Sequence, residues 1–201
     1  KTRIESLMAR CGFAAKGLFV MDGSKRSAHG NAYFTGLGRN KRIVFFDTLL
    51  ATLTPPQVEA VLAHELGHFK HRHIVKRIAL LALASLVLLW LLGQLIDAPW
   101  FYAGLGVHAP GTAMALLLFG FALPVFTFPL SPLTSALSRR HEYEADRYAA
   151  ANADADQLVG ALVRLYQDNA ATLTPDPLHS AFYDSHPPAS LRIAALQGGT
   201  A

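Results

Sequence analysis

Cysteine is nearly missing from this chain: Cys11 is the only one among 201 residues. That excludes an internal disulfide and a metal site built from several thiolates. Charge is scarce too. Asp, Glu, Lys and Arg make up 16% of the residues, against about 25% in an ordinary soluble domain. The shortage is local. Between Arg77 and Arg139 there is no Lys, Arg or Glu, and the single acid is Asp97. Two runs of 19 residues in this region, Ile78 to Ile96 and Thr112 to Leu130, carry no charge at all. About 20 apolar residues suffice to cross a bilayer as a helix. A soluble domain of this size could hardly cover two helices that are apolar on every side. Both runs are therefore expected to be membrane spans. No signal-peptide pattern opens the chain at Lys1, and the sequence is expected to be part of a longer protein. Basic and aromatic residues are not interleaved as in RNA-binding surfaces, so the net charge of +4 points away from nucleic acid.

The basic residues instead bracket the spans. Lys70, Arg72, Lys76 and Arg77 precede the first, Arg139 and Arg140 follow the second, and the connector Asp97 to Gly111 has neither Lys nor Arg. The positive-inside rule puts both outer ends on the cytoplasmic side. Trp100, Phe101 and Tyr102 suit the opposite interface as an aromatic belt. Pro124 and Pro129 predict a kinked or broken second span. The richness in Ala and Leu suggests a bacterial protein of the inner membrane.

What is present organises itself around His64-Glu65-Leu66-Gly67-His68. Thr54 is a good helix N-cap. Pro55 and Pro56 suit a first turn, Gln57 stands at capping-box distance, and Leu53 and Val58 are placed for a hydrophobic staple. A helix is therefore predicted from Pro55. On it His64 and His68 are i and i+4, on one face and a turn apart, able to share one metal ion. Glu65 stands where it can deprotonate a metal-activated water. With Val61, Leu62 and Leu66 apolar, this helix is largely buried, and buried histidines need partners. Ten residues separate His68 from Ile78, about 15 Å at helical rise, so the metal is expected just below the membrane surface. His71 and His73 do not match the spacing and are expected to be interfacial.

Before this helix, Thr2 to Arg10 reads as an amphipathic helix. Gly17 to Met21, Asn31 to Thr35 and Arg42 to Phe46 read as three short strands of an antiparallel meander, with a turn at Gly36 to Lys41. A sheet edge beside a metal site suits an extended peptide added as a strand. After the second span, Ser138 to Ala149 reads as a helix returned to the side of the histidines. A catalytic zinc takes three protein ligands and an open position. Candidates for the third are His141, Glu142, Glu144 and Asp146. Glu142 and Asp146 share a face, and spacing leaves open which ligates and which holds a histidine N–H from behind. Helices follow from Asp154 and after Pro188, with a loop at Asn169 to Pro177. His186, before Pro187 and Pro188, is held at a helix start, where it could donate to a developing oxyanion.

The fold class is thus mainly α and membrane-embedded: a zincin-like HExxH helix, a small antiparallel β-meander and a two-helix transmembrane hairpin. Residues 1–77 are expected to carry the first helix, the meander and the HExxH helix. Residues 78–130 form the hairpin, and 131–201 the third-ligand helix and C-terminal helical part, all in one catalytic unit.

Asn31-Ala-Tyr-Phe, Lys41-Arg-Ile-Val-Phe-Phe-Asp-Thr-Leu-Leu, the HExxH segment, Ser138-Arg-Arg-His-Glu-Tyr-Glu-Ala-Asp, and Ser185-His-Pro-Pro with Arg192 together resemble the CAAX prenyl protease type 1 family of membrane zinc metalloproteases. The resemblance implies that one zinc ion is held by His64, His68 and Glu142, with Glu65 as base and Asp146 behind a ligating histidine. It further implies a substrate edge at Asn31, Ala32 and Tyr33, and substrate or oxyanion contacts by His186 and Arg192. The partners it implies are a peptide or protein substrate, prenylated in the family's own reaction, and the lipid bilayer. Two alternatives stand beside it. One is an HtpX-type quality-control protease, against which the Asn31 strand and the Ser185 segment speak. The other is a non-catalytic metal-binding membrane scaffold, which would have no use for Glu65.

Overall fold

The computed structural model describes residues 2–14, 17–35, 42–168 and 175–198. The turn expected at Gly36 to Lys41 lies outside them, as does most of the loop expected at Asn169 to Pro177. In chain order the first elements are α1 (Thr2–Arg10), β1 (Leu18–Met21), β2 (Ala32–Thr35), β3 (Arg42–Phe46), α2 (Asp47–Thr52) and α3 (Pro55–Lys70). Then come α4 (His73–Leu95), α5 (Pro99–Gly104), α6 (Thr112–Thr127) and α7 (Ser131–Asn152). The chain ends with α8 (Ala155–Asp168), α9 (Pro177–Tyr183) and α10 (Ala189–Gly198). It divides into two compact units, one of Lys1–Arg72 with Ser135–Ala201, the other of His73–Thr134.

The first unit is built on α3. Its start is set as the sequence predicts: the Thr54 backbone N–H donates to Gln57 Oε1 at 2.9 Å, and Leu53 and Val58 are both buried. The apolar face of α3 carries Leu62 and Leu66, and it packs with Leu7 of α1, Ile43 of β3, Leu49 of α2 and Leu158 of α8 into one core. Each such fully buried side chain contributes roughly 1.5–3 kcal/mol. The expected side of α1 (Ile4, Leu7, Met8) is the buried one.

The three strands form a sheet in the order β1-β3-β2. β2 pairs antiparallel with β3, but β1 pairs parallel with it, so the antiparallel meander expected from the sequence is corrected to a mixed sheet. The cause lies in the ten-residue connection from Asp22 to Asn31, too long for a tight hairpin. Asp47, which opens α2, accepts from Ser24 N at 3.0 Å and Ser24 Oγ at 2.6 Å. Thr48 Oγ1 donates to His29 O at 3.0 Å. The connection is thereby carried past the end of β3, and β2 is delivered to its far side.

The second unit holds α4, α5 and α6. Both α4 and the α6–α7 run are long and apolar enough to cross a membrane. Their side chains are largely uncovered, with Leu89 63%, Trp90 64%, Phe121 79% and Val125 70% exposed. Water solvates such faces poorly; hydrocarbon solvates them well. Near the prolines, where a kink or break is expected, the run tightens into a 3-10 turn at Phe128–Leu130 between α6 and α7 while its backbone stays helical. At the connector end, Phe101 and Tyr102 of α5 turn inward against Leu92 and Ala115. Of the three aromatics expected at an interface, Trp100 is the exposed one.

One contact decides where α7 lies on α3. A Cβ added at Gly67 would stand 2.8 Å from the Ala145 Cα and 3.0 Å from the Ala145 carbonyl oxygen. Both are backbone atoms of a helix and cannot swing aside. In an uncrowded helix Gly→Ala stabilises by about 1 kcal/mol. Here Gly67→Ala is expected to reverse that sign and lower stability by about 1–3 kcal/mol, read as a fall in the thermal unfolding midpoint. A raised midpoint would refute the close approach.

Candidate active site

Because α7 can lie directly on α3, two i, i+4 pairs meet face to face. His64 and His68 come from α3, and Glu142 and Asp146 from α7. The Nε2 atoms of the two histidines are 3.1 Å apart. His68 Nε2 lies 3.3 Å from Glu142 Oε1, and His64 Nε2 lies 3.6 Å from Glu142 Oε2. Two imidazole nitrogens and a carboxylate make a triangle that could hold a metal ion; their ligand atoms all fall within 4.8 Å of one another. Its edges also suit zinc. Bonds of about 2.0–2.1 Å in a tetrahedron put neighbouring donors about 3.3 Å apart. The donor set fits a metal ion, and the sequence candidates Glu142 and Asp146 divide the work: Glu142 faces the triangle, and Asp146 stands behind it.

Asp146 Oδ1 lies 2.8 Å from His64 Nδ1. This contact turns the opposite nitrogen, Nε2, toward Glu142. Asp146 is held in turn by Arg192, whose Nε donates to Oδ2 at 2.8 Å and whose Nη2 donates to Oδ1 at 2.6 Å. Arg192 Nη1 also lies 3.5 Å from Glu142 Oε2. Arg192 is 6% exposed. Arg192, for which the resemblance implies a substrate or oxyanion contact, is here a buried guanidinium paired with Asp146 behind the triangle and near Glu142 within it.

The charges are strongly coupled. Burial works against ionised Glu142 and Asp146, yet both are held below the usual carboxylate range. The opposing contacts come from His64 and His68 for Glu142, and from Arg192 and His64 for Asp146. Burial also disfavours the charged form of His64, but its bonds to Asp146 and Glu142 outweigh this and push its pKa up to about 9. Glu65 sits beside the triangle on α3, and burial raises its pKa above the ordinary value. A carboxylate with raised proton affinity next to a metal triangle is suited to accept a proton from a water molecule.

The remaining expected residues take different places. His186 is largely exposed, with Nε2 3.5 Å from Glu142 Oε1, and its Nδ1 is 2.9 Å from Ser185 Oγ. It is the exposed group beside the triangle. Asn31, Ala32 and Tyr33 form the entrance and first half of β2, an outer strand of the sheet. Glu144, a weighed alternative for the third ligand, turns to Arg140 at 3.2 Å. Sequence reasoning passed over Gly67 and Arg139. The signal for Gly67 was a helix-weakening residue kept in the middle of the motif helix. Arg139 gave no signal that distinguished it from Arg140.

A model of the peptidase family M48 matches residues 1–200. CAAX prenyl protease 1 of Saccharomyces cerevisiae is 38% identical, over 98% of this chain and 47% of the yeast protein. The human CAAX prenyl protease 1 homolog is 33% identical, over 98% of this chain and 50% of its own length. The crystal structure of S. mikatae Ste24p superposes with a TM-score of 0.88 at 36% identity, covering 98% of this chain and 49% of that one. The chain thus spans about half the length of the curated relatives it matches. With the metal-binding triangle and the flanking Glu65 already in place, this match settles the family: the chain belongs to peptidase family M48.

Proposed function

We propose that this protein is a membrane zinc metalloendopeptidase that releases the C-terminal tripeptide of prenylated CAAX substrates. The observation that carries the hydrolytic reading is the triangle of His64, His68 and Glu142 with Glu65 beside it. The substrate class is carried over from the relatives, whose names say CAAX prenyl protease. The Lys and Arg residues that bracket the apolar helices support a cytoplasmic placement of the motif.

Each residue then has a task. His64, His68 and Glu142 hold the ion, and Asp146 with Arg192 keeps His64 turned to present Nε2. Bound there, zinc supplies Lewis acidity and lowers the pKa of water from about 15.7 towards about 7. Glu65 takes the proton from the attacking water and returns it to the leaving amine. His186, exposed beside the triangle, donates to the oxygen of the attacked carbonyl as negative charge develops on it. The substrate lies extended along β2 at Asn31, Ala32 and Tyr33, where backbone pairing holds it without regard to side-chain identity. Prenylation adds a lipid chain that the bilayer also solvates.

Two substitutions separate binding from chemistry. Glu65→Gln keeps the shape of the base and removes its proton affinity. It is expected to retain full metal content and to lose at least about 100-fold in kcat, the scale of a positioned general base. Turnover near the wild-type rate would remove Glu65 from the role of base. Glu142→Ala removes one side of the triangle and is expected to lose the metal, read by elemental analysis after dialysis; full occupancy would exclude Glu142 as a ligand. The substrate is tested on the full-length protein, loaded with zinc in lipid and given a farnesylated peptide ending in a CAAX sequence. Release of the last three residues by wild type, and not by the Glu65→Gln variant, is expected. Cleavage of unlipidated peptides alone would keep the protease and replace its substrate class.

A further inference from the structure

His186 lies on a loop, and a loop histidine is useful at an active site only if something fixes it. The segment from Pro177 to Pro188 is braced from two helices. On the α7 side, Arg139 Nη1 donates to Ser180 O at 3.0 Å and to Asp184 O at 3.0 Å. One turn earlier, Ser135 Oγ donates to Phe182 O at 3.2 Å. On the α8 side, Tyr166 Oη lies 3.5 Å from Pro187 O, and Pro187 is fully buried.

The Arg139 contacts have a clear physical reason. The last carbonyls of a helix have no partner within it, and Arg is well suited to bind them. α9 ends at Tyr183. Ser180 O, in its final turn, already accepts the Asp184 backbone N–H at 3.1 Å; Arg139 adds a second donor there and also binds Asp184 O, one residue past the helix. One guanidinium nitrogen thus ties the end of α9 to α7 and pins the residue two positions before His186. Two residues of chain extend at most about 7 Å, so His186 is tethered closely to the pinned point. The tether also has a register. Arg139 stands three residues before Glu142 on α7, and His186 Nε2 lies 3.5 Å from Glu142 Oε1. The helix that supplies the third side of the triangle therefore also sets the distance from that side to the histidine above it.

We infer that Arg139 is a positioning residue: by binding the carbonyls of Ser180 and Asp184 it holds His186 beside the metal triangle. It touches neither the substrate nor the ion. This rests on His186 being the donor to the attacked carbonyl, and it adds the residue through which that donor is placed. Misplacement of a catalytic group by about 1 Å can cost about 100-fold in rate.

The test is a double-mutant cycle on the full-length, zinc-loaded protein in lipid, using the farnesylated CAAX peptide. The set is His186→Ala, Arg139→Ala, Arg139→Lys and the double variant Arg139→Ala/His186→Ala. Metal content and the thermal midpoint are read alongside kcat and KM. Arg139→Ala is expected to keep its metal and to lose about 10-fold to 100-fold in kcat, with KM little changed. Arg139→Lys, which retains a donor without the fork, is expected to recover part of the loss. In the double variant the two losses should not multiply, so that kcat equals that of His186→Ala alone. Fully multiplicative losses would overturn the inference, because Arg139 would then act by another route. Wild-type kcat in Arg139→Ala beside a slow His186→Ala would overturn it too. So would loss of the metal or of the folded state in both Arg139 variants, which would make Arg139 a structural brace. A His186→Ala variant at the wild-type rate would remove the role of His186 itself, and this inference with it.

Discussion

Everything at the site depends on two helices lying closer together than side chains normally permit. Gly67 offers α7 a bare backbone, and the backbone of Ala145 meets it directly. At that separation the short reach of Glu142 and Asp146 is enough to bring both carboxylates onto the imidazoles of His64 and His68. A wider gap would need longer side chains or an intervening water. The motif is therefore more than two histidines and a glutamate. The fourth residue of His64-Glu65-Leu66-Gly67-His68 contributes by having no side chain, and the helix weakness it brings is offset by the partner it admits.

The second constraint is charge. Three carboxylates, Glu65, Glu142 and Asp146, lie beside two histidines, and among the described residues the Arg192 guanidinium meets two of them, Asp146 and Glu142. Buried charge is tolerated only when it is paired. One guanidinium cannot balance three acids. The bonds to Asp146 and Glu142 push the His64 pKa up to about 9, and burial raises that of Glu65. Arg192 neutralises Asp146 from behind and leaves Glu142 for the ion.

Much of this was legible in the sequence, because it was written in local spacing. The Thr54 cap and the i, i+4 histidines are one-dimensional signals, and they survive folding intact. The pair Glu142 and Asp146 was equally visible, but spacing left open which faces the histidine nitrogens and which stands behind them; only the family resemblance assigned the two. The sheet was read correctly as strands and wrongly as pairings, since pairing order depends on where Asp47 anchors a distant connection. Arg139 and Arg140 show the limit most clearly. They are neighbours of one type, and both read as charges flanking a span. A turn of about 100° about the helix axis sends Arg139 to the carbonyls of Ser180 and Asp184 and Arg140 outward to Glu144. No pattern within the pair encodes that difference.

The residues that complete this cluster are far apart along the chain. His64 and Asp146 are separated by 82 positions, and Arg192 lies 128 positions after His64. The compact unit they belong to is discontinuous, interrupted by the apolar segment His73–Thr134. On the ribosome, then, the motif helix emerges long before the carboxylates that hold its histidines, and Arg192 emerges last of all. While the apolar segment is being made, the cluster of His64, Asp146 and Arg192 does not yet exist; it closes only after both flanking parts of the chain are present.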